Sequence, residues 1–161
     1  MQVGAPSERA GIDLTGPWPK SNNNVYILTY VDHFTKWADA VPLPNKEAVT
    51  VATALVTKIF AQVRTTLQLL SDQGREFDNN LMAALCNLLG IDKVRTTSYK
   101  ASTNGAVERM HRTLNALLAK SVDDNQRNWS AVLPHVMAAY RSAVHESTGY
   151  SPNFLHFGRE V

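Results

Sequence analysis

A chain of 161 residues with 44% hydrophobic and 19% charged content has the size and composition of one folded domain, not of a disordered tail. A formal charge of only +2 excludes a strong global field for polyanions, so any nucleic-acid contact has to come from local basic clusters. No apolar run approaches the roughly 18 residues that span a bilayer, residues 1–12 lack the apolar stretch of a secretory signal, and a lone Cys86 cannot build a disulfide framework within one chain, which fits a reducing, intracellular setting.

Residues 1–8 read as a lead-in and 9–161 as a single domain, because no repeat, low-complexity segment or long linker divides them. Residues 9–14 predict a first strand, stopped by Gly16-Pro17-Trp18-Pro19 because proline cannot donate to a ladder. After a turn at 20–24, the β-branched and aromatic runs 25–31 and 37–43 predict two more strands in an antiparallel meander. Then the period changes. Ala48, Val49, Ala52, Leu55, Val56, Ile59, Phe60 and Val63 recur at three- and four-residue steps, which predicts an amphipathic helix over 46–63. Residues 67–71 predict a buried strand ending on Asp72, 79–89 a helix closed by Gly90, and 91–97 a fifth strand. The loop 98–102 leads into a third helix capped by Thr103 or Asn104. Val107, Met110, Leu114, Leu117 and Leu118 form its apolar stripe, with Glu108, Arg112 and Asn115 on another face. A fourth helix is expected over 126–144, then a turn at 147–152 and a helical turn at 153–158. Strands in a meander, followed by strands alternating with helices, describe an α/β domain with one mixed sheet covered on both faces.

Three acids stand out. Asp13 and Asp72 each follow an apolar strand core and precede a glycine-containing exit, and Glu108 lies at the start of a helix. Carboxylates at such positions are costly unless they meet a cation, and together they suit hard divalent ions in metal-assisted phosphoryl transfer. For an acid taken alone, backbone capping is the commoner role. Asp32 is a rival for Asp13, but Asp32-His-Phe-Thr-Lys-Trp37 reads as a turn in which Asp caps amides. Asp39, Glu76 and Asp78 read as solvated, and Cys86 as a buried small hydrophobe. The histidines show no zinc-ligand spacing.

The motifs Ile12-Asp-Leu-Thr-Gly-Pro-Trp-Pro19, Val31-Asp-His-Phe-Thr-Lys-Trp37, Ser71-Asp-Gln-Gly-Arg-Glu-Phe77 and Thr103-Asn-Gly-Ala-Val-Glu-Arg-Met-His-Arg-Thr-Leu114 occur in order. They continue through Ala139-Tyr-Arg141, Ser147-Thr-Gly-Tyr-Ser-Pro152 and Phe157-Gly-Arg159. Over almost its whole length the chain resembles the catalytic core of retroviral and retrotransposon integrases, most closely those of gypsy-type elements. The resemblance implies a ribonuclease H-like fold with a five-stranded mixed sheet flanked by helices. It implies that Asp13, Asp72 and Glu108 bind two Mg²⁺ (or Mn²⁺) ions and carry out DNA 3′-end processing and strand transfer. It further implies DNA contacts by Tyr99, Lys100, Thr103, Asn104, Gly105 and Arg112. Element ends and target DNA would be the partners, with a homodimer or higher oligomer and a nuclear or intracellular setting in the pre-integration complex. For Arg112 the plain alternative is an i, i+4 partner of Glu108, and for Lys100 a solvated loop lysine.

The sequence departs from the family pattern in three places. Tyr99-Lys-Ala-Ser102 replaces Tyr-His-Pro-Gln, which predicts a more mobile loop. Gln62-Val-Arg-Thr-Thr66 lacks the usual glycine and proline, a loss expected to cost stability or solubility. The zinc-binding and β-barrel domains of full integrases are not within these residues, so the chain reads as a core domain, natural or excised. Two other classes remain open at this point: a catalytically inactive, element-derived dimerisation or docking module, and a ribonuclease H-type nuclease.

Overall fold

A computed structural model describes residues 3–96, 105–122 and 126–161. Its strands are β1 (Arg9–Thr15), β2 (Tyr26–Asp32), β3 (Ala38–Leu43), β4 (Gln68–Ser71) and β5 (Asp92–Arg95). They form one sheet in the order β3-β2-β1-β4-β5. The first three are antiparallel, and β4 joins β1 and β5 in parallel. This is the meander plus parallel strands expected from the sequence. The fifth strand is Asp92–Arg95 where the sequence predicts 91–97; Thr96 still reaches back to the Ser71 carbonyl through its amide and its hydroxyl, and residue 97 lies outside the described residues.

The connection out of β1 depends on one glycine. Gly16 has φ +130, and a Cβ there would lie 2.7 Å from the Val25 carbonyl, so no other residue fits without moving the backbone. The chain then returns as β2, with Asp13 opposite Thr29.

The helix expected over 46–63 is instead α1 (Ala48–Ala54) followed without a break by a π-helical segment, Leu55–Phe60. The spacing of its buried residues accounts for this. Val51, Leu55, Ile59 and Val63 recur at strict four-residue steps and are all buried. An α-helix carries a four-residue step about 40° past a full turn. A wider π turn of about 4.4 residues falls short by a similar angle. Joining the two keeps the stripe over the sheet.

The next helix, α2 (Asn80–Leu89), follows its local signals. Asn79 accepts the Met82 amide at 2.9 Å, and Gly90 closes the helix in the left-handed conformation. The remaining helices are α3 (Gly105–Ser121), α4 (Trp129–Ser142) and α5 (Pro152–Phe157). The fourth is shorter at both ends than 126–144; Ala143 is already extended. Thr103 and Asn104, the expected caps of α3, lie outside the described residues.

Two apolar layers enclose the sheet. Ile12, Leu28, Tyr30, Val41 and Leu69 pack under α1 and α2. Ile27, Val31, Ala38 and Ala40 pack under α3 and α4 with Val107, Met110, Leu114, Trp129 and Leu133. Burial on this scale, at roughly 25 cal/mol per Å² of apolar surface, is the main force holding both helix layers to the strands. Polar ties fix the second layer: the Trp129 indole donates to the Pro19 carbonyl at 2.6 Å, and Ser21 and Ser130 share a buried hydrogen bond of 2.8 Å. α5 seats His156 and Phe157 against Trp37, which also meets the Tyr30 ring edge-on and the Arg141 guanidinium, 5.0 Å from the ring centre. Among the described residues no helix is long and apolar enough to cross a membrane.

The connection 62–66, which lacks the family's glycine and proline, is nevertheless tied down. Val63 is buried, Gln62 bonds Asp39 at 3.0 Å, and the Thr66 hydroxyl reaches the Ser7 carbonyl at 3.2 Å.

Candidate functional site

Strand pairing brings the first two acids together. In the parallel β1–β4 ladder Gly11 pairs with Leu70, so two steps further along the same face Asp13 comes level with Asp72. The sequence places Asp13 at a strand end, but β1 runs on to Thr15 because β2 continues to pair with it; only the β4 side of the ladder stops before Asp13. Asp72 follows directly on β4 and forms an Asx turn, its Oδ1 accepting the Gly74 amide at 2.9 Å. Glu108 stands in the first turn of α3, exposed beside the buried Val107, on the helix that covers this face of the sheet. A carboxylate there also answers the positive end of the helix dipole.

These groups act on one another. Burial pushes the Asp13 carboxyl up to about 6, the Leu14 amide at 2.8 Å pulls the other way, and the charges of Asp72, Glu76 and Glu108 add to the rise. Glu76, expected to be merely solvated, is therefore a fourth acid in the same field. The carboxylates are neighbours rather than a closed cage: among the described residues no three His, Cys, Asp or Glu side chains are drawn together tightly enough to hold an ion as they stand. Like charges this close repel. The donor set is hard oxygen at high local charge, which fits Mg²⁺ or Mn²⁺ and not a soft metal.

His111, one helical turn beyond Glu108, faces the same spot. Its Nε2 lies 2.6 Å from the Thr29 hydroxyl, and its Nδ1 lies 3.8 Å from Asp13 Oδ2. That second contact is not an ion pair, because burial pushes the imidazole's pKa down, against the pull of Glu108. Sequence reading did not single out His111 or Thr29; the two are 82 residues apart.

Asp32, the rival for Asp13, is a structural acid. It is fully buried and accepts the Ser7 amide at 3.1 Å, the Thr35 amide at 3.0 Å and the Thr35 hydroxyl at 2.6 Å. Asp39 corrects the sequence reading, which left it in solvent. It is buried, with Gln62 at 3.0 Å and Arg141 at 3.3 Å, on the face of β3 opposite to Ala38 and Ala40 and beside Tyr30. Asp78 is exposed, and Arg95 pairs with it at 3.0 Å. Cys86 is buried and its thiol is pushed up by that burial, as a packing residue should be.

Of the expected DNA contacts, Tyr99, Lys100, Thr103 and Asn104 lie outside the described residues, as does the altered loop. Gly105 opens α3. Arg112 is exposed, and no ion pair joins it to Glu108 among the described residues. It lines a groove of about 580 Å³ between α3 and the end of α4, together with Arg109, Leu117, Tyr140, Val144 and His145. Lys36, on the β2–β3 turn, belongs to the same basic zone. Burial lowers its pKa and Arg109 lowers it further; burial also depresses His33, to about 4, and His145, and the charges of Lys36 and Arg109 add to both shifts. This local cluster is what a chain of net charge +2 needs in order to meet a polyanion. Its members come from distant segments, so no run in the sequence announces it.

Residues 5–101 match the family model described as integrase core domain. That stretch contains Asp13 and Asp72 and ends before Glu108. A retrovirus-related Pol polyprotein from transposon 412 of Drosophila melanogaster is 32% identical over 153 residues, 94% of this chain and 12% of its own length. The Pol polyprotein of Radiation murine leukemia virus (strain Kaplan) is 32% identical over 138 residues, 85% of this chain and 23% of its own length. The chain thus spans less than a quarter of either relative. Among solved structures, the BIV integrase catalytic core domain is similar with TM-score 0.73 and 25% identity, covering 94% of this chain and 95% of that one. The HTLV-2 integrase catalytic core domain, solved in complex with magnesium, matches with TM-score 0.78 at 16% identity, covering 94% and 97%. The mixed sheet with its helices is the ribonuclease H-like fold of these cores, and the chain belongs to the integrase core domain family.

Proposed function

We propose that the chain is the catalytic core of a metal-dependent polynucleotidyl transferase that trims the 3′ ends of retroelement DNA and joins them to target DNA. The observation that carries this reading is the convergence of Asp13, Asp72 and Glu108 from β1, the end of β4 and the first turn of α3 onto one face, close enough for Asp13 to feel both other charges. These three residues would hold two Mg²⁺ or Mn²⁺ ions. When bound, such ions supply activation of the attacking oxygen and stabilisation of the leaving 3′ oxygen. The protein's part is positioning. The Leu14 amide engages Oδ1 of Asp13 and the Gly74 amide Oδ1 of Asp72, and neither bond uses the Oδ2 atom. Water is the nucleophile in trimming, and the freed 3′-hydroxyl is the nucleophile in joining. Arg112 and Gly105, with Tyr99, Lys100, Thr103 and Asn104 of the preceding loop, are proposed to hold the DNA backbone, and Arg109 and Lys36 extend that basic surface. A dimer or higher oligomer acting in a nuclear or intracellular pre-integration complex is part of the same proposal.

The test is Mn²⁺-dependent cleavage of branched DNA by the wild type and by Glu108→Gln. The variant should lose at least a hundredfold in rate. Equal activity in both proteins would sink the assignment.

A further inference from the structure

The groove between α3 and the end of α4, about 580 Å³, has walls of two kinds. Leu117 and Val144 are apolar, and Val144 stands 71% exposed. Tyr140 and His145 add two rings in edge-to-face contact, 6.5 Å between centres. Arg109 and Arg112 supply the charge; neither has an ion-pair partner among the described residues, and Glu146 is the only acid among the described lining residues. The volume falls in the range of about 300–1,000 Å³ that encloses one small organic group, so it is no trough for a duplex. Free guanidinium groups beside apolar and aromatic walls suit a ligand that joins an anion to a flat ring.

The position of the groove says which ligand. Arg109 and Arg112 follow Glu108 by one and four residues on the same helix. At about 1.5 Å of rise per residue, Arg112 stands about 6 Å along the axis from Glu108 and Leu117 about 14 Å, the reach of a few nucleotides at about 3.4 Å each. Gly105 leaves room for the Arg109 guanidinium to lie back across the start of α3, since a Cβ there would come 3.2 Å from its Nη1. Cations therefore lead from the acids into the groove. Trimming the 3′ end of a paired terminus removes nucleotides from one strand and leaves their partners on the other strand unpaired. We infer that the groove holds an unpaired nucleobase of the untrimmed strand, with Tyr140 against the base and Arg109 and Arg112 on the adjoining phosphates. The inference rests on the DNA-processing reading of Asp13, Asp72 and Glu108 and adds to it a site for single-stranded DNA.

Fluorescence anisotropy with three labelled DNAs tests this: a blunt duplex, the same duplex with a short 5′ overhang, and one whose overhang is abasic. Wild type should bind the overhang duplex about tenfold more tightly than the blunt one, the effect of one stacked base, and the abasic overhang should lose most of that advantage. Tyr140→Leu keeps the apolar bulk and Val144→Glu changes an exposed position; each should bring the two affinities together while the thermal unfolding midpoint stays put. An abasic overhang that binds as tightly as the intact one reduces the groove to a phosphate contact and overturns the inference. So does an advantage that survives both variants, which puts the base elsewhere. A labelled peptide of alternating Glu and Leu that binds wild type but not Val144→Glu, in a protein with no overhang preference, makes the groove a protein-docking site instead. No overhang preference in a protein that still cleaves branched DNA with Mn²⁺ overturns this inference and leaves the catalytic reading standing. Absence of both DNA binding and Mn²⁺-dependent cleavage overturns both.

Discussion

Asp13 should destabilise the very fold that holds it, and replacing it with asparagine should show by how much. Its carboxyl moves from an ordinary value of 3.8 to about 6, chiefly by burial and then by the charges of Asp72, Glu76 and Glu108. A shift of roughly two units is about 3 kcal/mol of differential free energy. The side chain is 29% exposed, so solvent screening trims this to roughly 2–3 kcal/mol. The sign follows from the folded pKa lying above the unfolded one. Below about pH 4 the carboxyl is protonated in both states and costs nothing. Between 3.8 and about 6 the unfolded chain releases the proton while the folded one keeps it, and stability falls as pH rises. Above 6 the whole cost is present. Asp13→Asn keeps an oxygen for the Leu14 amide and removes the charge. In chelator at pH 7.5 the variant should therefore be the more stable protein by about 2–3 kcal/mol, or about 5–10 °C in Tm for a domain of this size. The difference should shrink towards zero at pH 4. Millimolar Mg²⁺ should raise the Tm of wild type and not that of the variant, because binding stabilises only the protein that binds. Thermal unfolding followed by circular dichroism between pH 4 and pH 8, with and without metal, measures all of this. An asparagine variant that is no more stable in chelator at pH 7.5, or a difference that does not change with pH, would refute the reasoning.

Three further expectations separate structural from functional charges. Asp32→Ala strips the partner from the Ser7 amide and from both Thr35 donors, so it should cost about 2–4 kcal/mol by urea unfolding while the Mg²⁺ response survives; a stable variant that no longer responds to Mg²⁺ would make Asp32 the ligand instead. Arg141→Ala leaves the Asp39 carboxylate buried without its cation and uncovers Trp37, so about 3 kcal/mol should be lost, with the Asp39→Asn, Arg141→Ala double variant recovering part of it. Arg112→Ala should weaken DNA binding without changing the unfolding midpoint and should lower the salt dependence of log K by about one contact; an unchanged salt slope would remove Arg112 from the phosphate path.

How much of this was readable in the chain depends on how local each cue is. α2 is fully legible because Asn79, its apolar positions and Gly90 all lie within the element. The helix after β3 is legible in place but not in kind: a four-residue spacing looks α-helical in sequence, and only packing against the sheet reveals that half of it is π-helical. Asp39 reads as solvated because an alternating strand gives no sign of which face an edge residue takes until α4 arrives with Arg141, 102 residues later. The same holds for Glu76 and for the Thr29–His111 link.

Asp13 and Asp32 show where local reading stops. Each follows an apolar strand run, and pattern alone does not separate them. The β1–β2 ladder sets them toward opposite ends, with Asp32 opposite Ala10 and Asp13 opposite Thr29. At its end Asp32 meets three donors, from Ser7 and Thr35, which take up three of its roughly four lone-pair sites and fix both oxygens within the fold. At the other end Asp13 meets one donor and three further carboxylates. The first arrangement stabilises the fold. The second burdens it, and a buried acid surrounded by like charges with a free oxygen is the arrangement that a divalent cation relieves.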